Sequence, residues 1–122
     1  MDKKFFESYY ETYNNEDPKK LAEFYHEDVV IRSAQGEQTG KETLLGTYRY
    51  IISMFKDQMT QKNIIIEGGQ AAIEIHDRFE AKQDVDDFLG QTFSKGDTLE
   101  LNLCGIYKVE AARIKEITIY QK

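Results

Sequence analysis

Ala71-Ala72-Ile73-Glu74-Ile75-His76-Asp77-Arg78-Phe79-Glu80-Ala81-Lys82 changes character at almost every step. In an extended chain Ile73, Ile75 and Phe79 fall on one side and Glu74, His76, Arg78 and Glu80 on the other, the period-two signature of a sheet strand. Just before it, Ile64-Ile65-Ile66 is a β-branched run closed by Gly68-Gly69, so the two runs read as a hairpin. After it, residues 84–97 are acidic and then glycine-containing, a long hairpin loop. Leu99, Leu101, Leu103, Tyr107 and Val109 then mark a long strand, and 113–120 a last one ending in Ile117, Ile119 and Tyr120.

The N-terminal half has a different period. Phe5, Phe6, Tyr9, Tyr10 and Tyr13 recur at helical spacing and form one broad apolar stripe over residues 3–15. Asn14-Asn15 ends that helix. Asp17 before Pro18 caps a second, short one carrying Leu21, Phe24 and Tyr25. Val29-Val30-Ile31 reads as a strand and Gln35–Gln38 as a turn. Thr39 with Glu42 three residues later has the form of a capping box, opening a helix over about 40–57 whose apolar face is Leu44, Leu45, Tyr48, Ile51, Ile52 and Phe55. Helices first and an antiparallel meander afterwards is an α+β arrangement. No repeat, linker or low-complexity stretch divides it, so residues 1–122 read as one domain.

Composition limits what such a domain does. The 122 residues carry a net charge of −6 and no Lys/Arg run, which argues against nucleic acid or an anionic membrane as the main partner. Cys104 is the single cysteine and there are two histidines, so no disulfide and no cysteine-based zinc cluster is expected, and no metal site. The N-terminal apolar stretch breaks at Glu7, so it is not a signal peptide, and no window resembles a membrane span. Cytoplasmic is the default expectation.

Phe24-Tyr25-His26-Glu27-Asp28-Val29-Val30-Ile31 after a capped short helix, followed by Thr39-Gly40-Lys41-Glu42, resembles the nuclear transport factor 2-like superfamily, and within it the SnoaL-like polyketide-cyclase branch. The resemblance covers about residues 4–120. It implies a cone-shaped, curved antiparallel sheet wrapped around a long helix, with two further N-terminal helices, a pocket at the wide end and a homodimer. Superfamily functions range from isomerases and epoxide hydrolases to non-catalytic modules, so the fold does not fix the function.

Against ketosteroid isomerase, the chain keeps Tyr9 at the oxyanion-donor position, but Ser33 stands at the general base and the later aspartate falls near Cys104. A serine cannot replace a carboxylate in abstracting a carbon-bound proton, so that activity is not expected. Limonene-epoxide hydrolase offers a partial resemblance. Its Arg-x-Asp strand motif looks like Arg78-Phe79-Glu80, while its second acid falls on Ile119. Alternation alone favours Glu74, His76, Arg78 and Glu80 as a solvated sheet face; the resemblance to the epoxide hydrolases turns that row toward the pocket.

The resulting expectation is a homodimer binding a small, largely apolar molecule. Tyr9, Tyr48, Glu74, His76 and Cys104 are expected as ligand contacts, with Cys104 an inert thiol. Glu80 is expected as a base oriented by Arg78, in acid–base chemistry without a cofactor. Tyr9, Tyr10 and Tyr13 read first as core aromatics, one of which could bring a hydroxyl to the pocket. Tyr48 fits either core or pocket wall. His26 reads as a surface residue, and Asp84-Val85-Asp86-Asp87 as a solvated acidic loop without the glycine and glutamate of a calcium site. The competing expectation is a non-catalytic module that binds a protein through its sheet face.

Overall fold

A computed structural model describes residues 1–122. Helix α1 spans Lys3–Asn14, with the Asp2 side chain accepting from the Phe5 amide, and α2 spans Pro18–Leu21, capped by Asp17. A single 3₁₀ turn, Ala22–Phe24, leads into β1 (Tyr25–Ser33) and β2 (Gly36–Thr39). The long helix α3 (Lys41–Met54) follows. The rest is strand: β3 (Phe55–Glu67), β4 (Gln70–Ala81), a small hairpin of β5 (Val85–Phe88) and β6 (Gln91–Phe93), then β7 (Thr98–Glu110) and β8 (Arg113–Gln121). No helix is long and apolar enough to cross a membrane.

Six strands form one sheet in the order β2-β1-β8-β7-β4-β3. Neighbours are antiparallel except β1 and β8, which run parallel. The sheet is therefore mixed, where an antiparallel one was expected. The reason is that the last strand of the meander docks beside the first strand of the chain. Two boundaries also differ from expectation. Thr39 belongs to β2, opposite Val30, so no capping box forms; Gly40 caps α3 instead with φ of 98°, a conformation natural to glycine. Helix α3 ends at Met54, and Phe55 is already extended, which moves Asp57 from a helix end into a strand.

The helices pack on the concave side of the sheet. Phe6, Tyr9 and Tyr10 of α1 and Leu44, Leu45 and Tyr48 of α3 join Ile73, Ile75, Tyr107, Ile114 and Ile117 in one buried core. Each fully buried large side chain there contributes roughly 1.5–3 kcal/mol. Its buried phenols are satisfied in pairs: Tyr9 with Tyr25 at 2.7 Å and Tyr10 with Tyr107 at 2.6 Å. A second cluster lies under the β5–β6 hairpin, where the Phe55 ring meets Phe79, Phe88 and Phe93 at centroid distances of 5.7, 4.6 and 5.2 Å.

Gly105 leaves room for this packing, because a Cβ there would sit 2.7 Å from Cε1 of Tyr107. Gly46 is exposed in α3, and a Cβ there would meet nothing within 4 Å. Gly105→Ala is expected to destabilise by about 1–3 kcal/mol, whereas Gly46→Ala stabilises by about 0.5–1 kcal/mol. Thermal unfolding of the two variants should shift in opposite directions; equal shifts would contradict this packing.

Candidate functional site

Alternation along β4 places Ile73, Ile75, Asp77 and Phe79 on the buried side. Asp77 is thus a carboxylic acid in an apolar row, 2% exposed. In the β3–β4 ladder Met59 lies opposite Asp77 and Asp57 opposite Phe79, which makes Asp57 and Asp77 diagonal neighbours on one face. Asp57 is 1% exposed. Helix α1 supplies a third polar group, for the Tyr13 hydroxyl donates to Oδ2 of Asp57 at 2.7 Å. Tyr48 holds Tyr13 in place, its hydroxyl donating to the Tyr13 carbonyl at 2.6 Å with the two rings 4.7 Å apart.

Tyr13, Asp57 and Asp77 line a cavity of about 350 Å³. Ile31, Ile51, Met59, Phe79, Phe88, Leu101, Leu103 and Ile119 make its apolar wall. Ser33, Gln35, Gln38, Thr47 and Gln121 add polar contacts, and Tyr50 and Leu89, both largely exposed, also line it. Oδ1 of Asp57 and Oδ1 of Asp77 are buried without a hydrogen-bond donor from any other residue type. An orphaned buried acceptor is costly. A proton on Asp77, shared with the Asp57 carboxylate, eases part of that cost.

Burial drives both carboxyl groups upward, because a charge loses its hydration in an apolar site. Asp77 is pushed up to about 10, first by desolvation and then by its bond to Asp57 and the neighbouring charge. Asp57 is also raised by desolvation, but bonds from Asp77 and Tyr13 pull it back. The Tyr13 phenol is raised well above its usual range by burial and by Asp57, so it stays a donor. The two environments therefore differ, Asp77 being held protonated while bonds from Asp77 and Tyr13 oppose the upward shift of Asp57. Environments that separate two titratable groups in this way define acid and base roles.

The row Glu74, His76, Arg78 and Glu80 lies on the opposite face and does not line the cavity. Arg78 and Glu80 pair with each other at 3.3 Å, with side chains 43% and 46% exposed. His76 meets Glu100 at 3.1 Å. Glu74 binds Lys122 and Asn63, and the Lys122 bond lowers its pKa. The expectation that this row enters the cone is corrected, since the odd-numbered residues bury the apolar area and the pleat sends the even ones out. Cys104 faces the same way, opposite Glu74 in the ladder. Tyr9 is core, its phenol tied to Tyr25 and pushed up to about 12 by burial. Tyr48 is core as well, one step removed from the cavity through Tyr13. Ser33, matched to the isomerase base, and Ile119, matched to the second acid, do reach the cavity.

The unfolded chain ionises Asp77 in the ordinary carboxylate range, whereas the folded chain keeps its proton up to about 10. Stability is then greatest below the unfolded value and falls as pH rises through this window. Asp77→Asn, neutral at every pH, is expected to raise the melting temperature at mildly alkaline pH by roughly 5 °C and to flatten its pH dependence. Equal slopes for variant and parent would contradict a protonated Asp77.

Residues 6–117 match the SnoaL-like domain. A candidate polyketide cyclase from Pseudomonas putida superposes with a TM-score of 0.82 at 20% identity, covering 97% of this chain and 89% of its own. An LEH-like epoxide hydrolase from M. tuberculosis superposes with a TM-score of 0.79 at 15% identity, covering 98% of this chain and 80% of its own. No curated protein matches the chain in sequence. The match over residues 6–117 means that the chain belongs to the SnoaL-like family, and its likeness to the solved structures shows that it shares their fold.

Proposed function

We propose that the protein binds a small, largely apolar molecule in this cavity and acts on it by cofactor-free acid–base chemistry, with Asp57 as base and Asp77 as acid. The observation that carries the reading is a pair of neighbouring carboxyl groups, 1% and 2% exposed, in the lining of an apolar cavity. Binding would expel water and strengthen the polar contacts of the carboxyl pair. Asp57 would take a proton from a carbon acid or from a water molecule. Asp77 would give its proton to an oxygen that gains charge, and Tyr13 would hold Asp57 in position. After one such exchange the two carboxyl groups have traded protonation states, and a transfer between them restores the starting form. Isomerisation, cyclisation and epoxide opening all fit this cycle, and the similar epoxide hydrolase and candidate cyclase support the same range.

The competing reading, a non-catalytic module binding a protein partner, is less favoured because the cone contains a cavity instead of being filled by its aromatic residues. The outer face of β4, β7 and β8 is the surface we propose for a homodimer. It interleaves charged groups with Ala72, Cys104 and Ile106, which are only half-buried in the single chain.

A melting assay with small cyclic ketones, alcohols and epoxides tests the first reading, since a ligand bound only by the native state raises stability. At least one class is expected to stabilise the protein. For a compound that is turned over, Asp57→Asn should bind it but slow turnover by about 10²-fold or more. No stabilisation by any class, or undiminished turnover by Asp57→Asn, would overturn the proposal.

A further inference from the structure

The cavity lacks one component that buried carboxylates normally have. Asp57 and Asp77 are the sole acidic residues in its lining, which contains no Lys, Arg or His. Nearby cations are committed elsewhere. Lys82 bonds Glu16 and the Ile52 carbonyl, and Arg78 pairs with Glu80 on the outer face. None of the groups that set the ionisation of Asp57 is a cation. Yet both residues line the cavity, and their buried Oδ1 atoms accept from no other residue of the protein. Buried charges are ordinarily paired, so the counter-charge is missing from the protein itself.

We infer that the ligand supplies it: the site takes a compact apolar molecule carrying one protonated amine, whose N–H groups donate to the carboxyl pair of Asp57 and Asp77. This rests on the cavity being a small-molecule site and adds the charge of the molecule. An ammonium has up to three donors and no acceptor, which suits a carboxyl pair with no cation beside it. Hydrogen bonds to charged partners are also stronger than neutral ones. The rings of Tyr13, Phe79 and Phe88 stand in the same wall, and aromatic faces attract a desolvated cation. The same geometry rejects anions. A carboxylate or phosphate ester would enter a low-dielectric space beside an existing negative charge with no cation to meet it.

The test is calorimetric titration of the full chain at neutral pH with three molecules sharing one ring: cyclohexylmethylamine, cyclohexylmethanol and cyclohexanecarboxylate. The amine is expected to bind roughly tenfold or more tightly than the alcohol, in keeping with the greater strength of charged hydrogen bonds, and the carboxylate not to bind measurably. In Asp57→Asn the preference for amine over alcohol should shrink to within about twofold by the same argument. If that variant does not fold, the three-way comparison on the unaltered protein still decides. Alcohol binding as tight as amine, or any preference for the carboxylate, would overturn the inference while leaving the cavity a small-molecule site. Silence from all three would overturn both.

Discussion

The pleat of β4 governs what the rest of the molecule can do. A strand must send successive side chains to opposite faces, and here the face bearing Ile73, Ile75 and Phe79 meets α1 and α3. Asp77 is in phase with those residues and is carried inside with them. The neighbouring strand adds Asp57 one diagonal away, and the first helix lays the Tyr13 hydroxyl across it. Shifting the β4 register by one residue would instead bring Glu74, His76, Arg78 and Glu80 inward and expose the core.

The acid pair does not serve stability. Placing two carboxyl groups where water cannot reach them favours their neutral forms and opposes folding as pH rises. The protein tolerates this because the aromatic core is large and otherwise satisfied: its buried phenols bond in pairs, and Tyr48 secures Tyr13 through the backbone. Such a cost in the lining of an apolar cavity is what makes the pair a candidate functional site. Thr12, Asp57 and Asp77 are the three polar residues among the buried set, and two of the three line the cavity.

Much of the architecture was legible in the chain. The aromatic stripe of α1, the Asp17-Pro18 start of α2 and the alternation along β4 and β7 each follow from local spacing. The parallel β1–β8 pairing was not legible, since it depends on which strand ends meet in space and on no local signal. The carboxyl pair was hidden for two reasons. Asp57 follows directly on an apolar helix, and no residue between Met54 and Asp57 announces the switch to strand. Asp77 carried a clear signal, a charged residue in register with Ile73, Ile75 and Phe79, that the more conspicuous polar row obscured. An acid in phase with the apolar face outweighs four charges out of phase with it, because only the former must be buried.

Both the acid–base assignment and the charge selectivity require one proton held between Asp57 and Asp77 in the cavity lining. Carbon-13 chemical shifts of the aspartate carboxyl groups, followed by NMR across a pH titration, observe this directly. The account predicts that one buried carboxyl stays protonated throughout the neutral range, with Asp77→Asn removing that resonance. If every aspartate instead titrates in the ordinary carboxylate range, the pair is hydrated, and both the acid–base assignment and the charge selectivity built on it are wrong.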